Sequence, residues 1–252
     1  MHIGNIDRLI NIINWVSLFL VGLYFFSMFI YPWFHGGERV HAVWFDWQSL
    51  NVGILAYASS LIIFGISRYH ANQQRRREFI AARSFLPAAL SELADYLEQC
   101  ASVLVNAYEV ATNRELGSEG VWGGMSAPDI GGQYREIFSR CISHADSEPA
   151  EYLSNILVRL QVHQSRIAKL VRDIQPGGYT VVTSRLIMSY IFGLGELRAL
   201  VNGTFEYARG GERFPVRSLG WEDYLKAYLS LGVHFETIDG LEEFTKHRSG
   251  GV

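Results

Sequence analysis

The chain has 252 residues, of which 49% are hydrophobic, 13% aromatic and only 19% charged, with a net charge of −3. Water-exposed domains carry about a quarter charged residues, so part of this chain is built for another solvent. The same balance excludes disorder, a disulfide scaffold and a nucleic-acid binder driven by bulk charge.

In chain order, the first signal is a stretch without charge between Arg8 and Glu38. Its apolar run, about residues 10–32, predicts a membrane-spanning helix. A helix needs about 20 such residues to cross a hydrocarbon core of about 30 Å. Pro32 and Gly36-Gly37 end it. A cleaved signal peptide is the competing reading, but the run is too long, Met1 to Arg8 is hardly basic, and no small-x-small site follows Tyr31. A second charge-free stretch, 47–67, predicts a second span.

The flanks give the orientation. Arg68, Arg75, Arg76, Arg77 and Arg83 follow the second span against a single acid, Glu78, whereas the connecting loop holds Glu38, Arg39 and Asp46. Basic flanks stay in the cytoplasm, so both termini are expected inside and the loop outside. Trp33, Trp44 and Trp47 gather at the outer ends, as an interfacial aromatic belt would. Arg68, Arg75, Arg76 and Arg77 mark the inner interface; they read as a topology signal in contact with lipid headgroups. No basic stripe with aromatics continues beyond them, so direct nucleic-acid binding is not expected.

Neither span contains Asp, Glu, Lys, Arg or His, which argues against a pump or proton-coupled carrier. The second span carries a seam of small residues, Ser49, Gly53, Ala56 and Ser60. Small side chains let helix backbones approach closely in lipid. The plainer reading packs the two spans of one hairpin together; the sharper one is self-association between chains.

Residues 68–252 hold 20 basic and 22 acidic residues, the balance of a domain in water. Three helical seams run through them. The first is Leu86, Leu90, Leu93, Leu97, Cys100, Leu104, Ala107 and Ala111, in alternating steps of four and three. Pro87 near its start either opens a new helix after Ser84 or kinks the one leaving the membrane. The second seam is Leu153, Ile156, Leu160, His163, Ile167, Leu170 and Ile174, opened by Pro149 and closed by Pro176-Gly177-Gly178. The third is Ile187, Tyr190, Leu194, Leu197 and Val201, continuing to Thr204 and Ala208 before Gly210-Gly211.

Shorter helices are expected around 134–142, 221–231 and 241–247, and no alternating strand pattern occurs. The predicted fold is all-α: an N-terminal transmembrane hairpin, residues 1–67, and a cytosolic helical bundle, residues 68–252. A Gly-rich loop at 112–132 interrupts the bundle with six glycines and Pro128. It reads as a flexible connector, or through Trp122 and Met125 as a docking element for a partner.

Chemistry is hard to find. There is no phosphate loop, no His-Glu-x-x-His, no Cys-x-x-Cys and no Gly-x-Ser-x-Gly, and Gly193-x-Gly195 lies in a helical pattern with no strand before it. Cys100 and Cys141 read as small buried hydrophobes. His163 interrupts an apolar seam and reads as a core histidine bonded to a carboxylate, ahead of a ligand or general base. His35 and His41 flank the outer loop, where external pH could act on them. Glu92, Asp95 and Glu98 read as a solvated face. No catalytic, cofactor or metal residue is assigned, and an enzyme is not expected.

In layout, a two-span hairpin at Leu9 to Ser67 followed by a helical domain without an active-site motif resembles the membrane effectors of bacterial anti-phage systems. Among these, it resembles in size and order the two-span effectors that accompany retron reverse transcriptases. The resemblance covers the whole chain as architecture and carries no diagnostic motif. It implies abortive infection at the bacterial inner membrane: a cytosolic protein or ribonucleoprotein trigger releases the chain, the spans assemble in the bilayer, and growth stops. A membrane-anchored adaptor whose bundle recruits a cytosolic partner is the alternative. A membrane enzyme acting on lipid or nucleotide is the third.

Overall fold

The computed structural model describes residues 3–31, 34, 41–42, 45–117, 124, 126–175, 181–211 and 218–250; the side chains of 3–11, 13, 14 and 29 lie outside that description. Within it the chain is all-helical, with seven α-helices and no strand. These are α1 (Ile3–Phe25), α2 (Gln48–Glu115), α3 (Gln133–His144), α4 (Ser147–Ile174), α5 (Ser184–Ala208), α6 (Trp221–Ser230) and α7 (Leu241–Arg248). A π-helical turn, Phe26–Ile30, continues α1. Internal contacts divide the chain into two units, Met1–Asn72 and Gln73–Val252.

In the first unit most of the described apolar side chains face outward. Trp15, Phe19, Leu55, Ile62 and Phe64 are all exposed. Of the described helices, α2 alone is long and apolar enough to cross a membrane by length and composition; Trp15–Met28 is a shorter apolar run. Only 6% of the most apolar stretch of α2 is buried. The core helix of a domain in water hides such residues, because each buried aliphatic side chain contributes about 1.5–3 kcal/mol.

The second unit does the reverse. The first seam, Leu86 to Ala111 on α2, is buried throughout, and so is the second, Leu153 to Ile174 on α4. On α5 every predicted seam residue is buried except Tyr190, which packs half-buried against the core. Helix α2 runs through Pro87 without a break, so this proline does not open a new helix. Its ring cannot donate the i→i−4 bond, and Ser84 and Ser91 flank it with side-chain bonds to the carbonyls of Ile80 and Pro87.

Helix ends in this unit are closed by arginines of α2. Arg75 donates to the carbonyls of His144 (3.3 Å) and Ala145 (2.8 Å) at the end of α3. Arg83 donates to those of Tyr207 (2.8 Å) in the last turn of α5 and Gly211 (2.9 Å) just beyond it, its guanidinium 4.3 Å from the Tyr207 ring centroid. Arg114 donates to Ile174 (3.1 Å), the last residue of α4. A helix C-terminus presents unsatisfied carbonyls and a partial negative charge, which a planar guanidinium answers with two donors at once. That geometry gives a physical use for a chain holding 19 Arg and three Lys. The opposite pole is handled by Glu115, whose carboxylate accepts from the Ser184 amide and hydroxyl, both at 2.8 Å, where α5 starts.

Helices α6 and α7 fold onto α5 through aromatic rings. Phe192 stacks on Tyr224 (5.1 Å between centroids), Trp221 stacks on Phe235 (5.6 Å), and Tyr228 meets Phe235 edge-on. Gly195 explains its own identity here: a Cβ would lie 2.6 Å from the buried Tyr228 ring. Of the Gly193-x-Gly195 pair, Gly195 therefore serves helix packing.

Candidate functional site

The site the sequence points to is the outward surface of the first unit. Spacing places Ser17, Val21, Tyr24 and Met28 on one side of α1 and its π-helical continuation, and Asn51, Ile54 and Ala58 on one side of α2. Met28 and Asn51 are buried, and Ser17, Tyr24, Ile54 and Ala58 half-buried. Two hydrogen bonds join the helices: Tyr24 Oη donates to Asn51 Oδ1 at 2.5 Å, and the Ser17 and Tyr57 hydroxyls lie 3.4 Å apart. Further along, Ser17, Val21, Leu61 and Arg68 line a cavity of about 330 Å³.

This arrangement corrects one expectation. The small-residue seam does not pack the two helices together. Ser49, Gly53, Ala56 and Ser60 are all exposed, and nothing lies within 4 Å of where a Gly53 Cβ would be. The residue buried between the helices is instead Asn51, whose amide finds the partner a buried polar group needs in the Tyr24 hydroxyl. Sequence reading passed over Asn51 because it carries no charge; the signal available was an amide in one charge-free span and a tyrosine in the other.

Among the proposed interface residues, Trp47 is exposed, and the Arg68 guanidinium sits 5.8 Å from the Phe64 ring centroid. Arg76 and Arg77 are exposed, while Arg75 is engaged in closing α3. Trp33, Trp44, Trp122, Met125 and His35 lie outside the described residues.

In the second unit a groove of about 540 Å³ runs between α2 and α3. Ala82, Phe85 and Ile137 give it an apolar floor, and polar side chains pair at its rim: His144 Nδ1 lies 3.3 Å from Glu78 Oε2, and Arg140 bridges Glu136 at 2.6 Å.

No family model matches the chain, and neither does any curated protein or solved structure.

Several other titratable groups are buried in the second unit. Burial pushes the Cys100 thiol up to about 12 and Cys141 up to about 11, so neither is a thiolate near neutrality. They are free and buried, as small hydrophobes would be. His163 is buried, but no carboxylate holds it, contrary to expectation. Its Nε2 has no partner, and burial, then the Arg166 charge, lowers its pKa to about 4. Arg198 lies buried on α5 and donates to Ser230 Oγ at 3.0 Å, with Glu98 Oε1 3.8 Å away and Nη1 unpartnered. Desolvation lowers its pKa, against Glu98 and Asp95, which raise it. Those two acids thus face a buried cation as well as solvent. Among the described residues no three His, Cys, Asp or Glu side chains gather as metal ligands would.

Proposed function

We propose that this chain is a two-span membrane effector held silent by a cytosolic partner, which disrupts the bacterial inner membrane when released. Residues about 10–32 and 47–67 form the spans, both termini are cytoplasmic, and the bundle senses the trigger. The observation that carries this reading is the outward apolar surface of the first unit, of which the most apolar stretch of α2 is 6% buried. A surface of that size in water would drive aggregation; in lipid it is neutral. The outward seam Ser49, Gly53, Ala56 and Ser60 is where copies would pack closely to assemble. The layout's similarity to retron-type anti-phage effectors supplies the physiological setting.

The test is inducible expression in bacteria with a voltage-sensitive dye, beside a version whose spans are replaced by an inert hairpin. Depolarisation and growth arrest by the native chain alone support the effector. Unchanged potential and growth, with any inhibitory partner removed or the trigger supplied, overturn it.

One observation favours the adaptor as a second reading: the 540 Å³ groove between α2 and α3, with its apolar floor and paired rim. An adaptor uses its spans only as a tether, so the swapped hairpin would then preserve function.

A further inference from the structure

We propose that the Tyr24–Asn51 hydrogen bond is a register pin that sets the rotation of α2 against α1 and thereby decides that the small-residue seam faces away from the pair. The proposal rests on the membrane reading above for its consequence, and on geometry for its substance.

Asn51 lies between Ser49 and Gly53, two residues from each. At 3.6 residues per turn that is about 200° of rotation, which puts the seam on the far side of the helix from the amide. Asn51 is 5% exposed, its Oδ1 accepts from Tyr24 at 2.5 Å, and its Nδ2 has no partner. An apolar face alone would choose the closest packing, and the closest packing available to α2 is its small-residue side. The pair is built the other way, on Asn51, Ile54 and Ala58. A single buried amide selecting one register at a cost in stability is a known use of asparagine between helices. Without the pin, burying Gly53 and its neighbours against α1 becomes the better arrangement, and the surface offered to other copies is lost.

The test reads rotation within one chain, in membranes containing the full-length protein. Val21 and Leu61 line one cavity, so Val21→Cys with Leu61→Cys reports the observed register. Val21→Cys with Ser60→Cys reports the turned one. A short bifunctional thiol reagent links each pair, and the native cysteines, both buried, do not compete. The expected result is that Tyr24→Phe and Asn51→Leu each lower the first crosslink several-fold, raise the second, and are no worse combined. An unchanged crosslink ratio, or a shift in only one of the two variants, overturns the proposal. Resistance of the chain to extraction from membranes by alkaline carbonate tests the membrane reading separately, so the two failures are told apart.

Discussion

The two units spend the same amino acids in opposite ways. In Gln73–Val252 leucine and isoleucine face inward along heptad-like seams, and nearly every seam position is buried. Among the described residues of Met1–Asn72 they mostly face outward on both helices, while Asn51 is buried between the two. Hydrophobic content therefore does not tell a core from a membrane surface; the direction of the side chains does. On the membrane reading proposed above, each unit is folded for its own solvent, with the polar contact inside where the outside is lipid, and outside where the outside is water.

The comparison is tested hardest in the bundle core. Leu97→Ala removes a side chain with no exposure from the first seam and is expected to destabilise by about 2–5 kcal/mol. Chemical unfolding of the detergent-solubilised chain, followed by circular dichroism, measures it; a loss below about 1 kcal/mol would mean that the seam is not a core.

Next comes a matched pair. Ile62 on α2 is 63% exposed and Val158 on α4 is 59% exposed. If solvent sets the difference, Ile62→Arg costs about 2.5–3.5 kcal/mol of membrane insertion and moves chain out of the membrane fraction. Val158→Arg changes stability by no more than about 0.5 kcal/mol. Equal behaviour of the two variants would erase the distinction.

The buried histidine sharpens it further. Its pKa is lowered in the native state, from 6.5 to about 4, so the unfolded chain binds the proton first. Its contribution to stability is whole above about pH 6.5 and is lost as pH falls toward 4, by about 3 kcal/mol in all. His163→Leu should flatten that part of the stability–pH curve, read from unfolding midpoints between pH 7 and 4. An unaltered slope would assign the acid sensitivity elsewhere.

The smallest expected effect is at a helix end. Arg83→Ala loses two bonds to carbonyls at the C-terminal end of α5 and about 1–2 kcal/mol. Arg83→Lys recovers part of it at most, because an ammonium lacks the fork. The unfolding midpoint distinguishes them.

Much of the fold was legible in the sequence because helices announce their buried stripe and their ends locally. The seams through Leu97, Ile156 and Leu194, and the stops at Pro176 and Gly210, needed no tertiary information. The small residues around Gly53 announced close packing but not against what, since the partner face depends on Asn51 and on a tyrosine 27 positions earlier. The missing partner of His163 was illegible for the same reason. The arginine closures were further from reach: Arg75, Arg83 and Arg114 find carbonyls between 60 and 128 residues away, and nothing in the local pattern separates them from Arg76 or Arg77.

Those closures also bear on how the bundle opens. Helix ends ordinarily fray, and amides near them exchange with solvent long before the middle of the helix does. Here the last turns of α3, α4 and α5 are each held by a side chain rooted in α2. None of the three ends can loosen alone without breaking a long-range bond. In hydrogen exchange their terminal amides should open together with the α2 seam, so that four helices behave as a single cooperative unit.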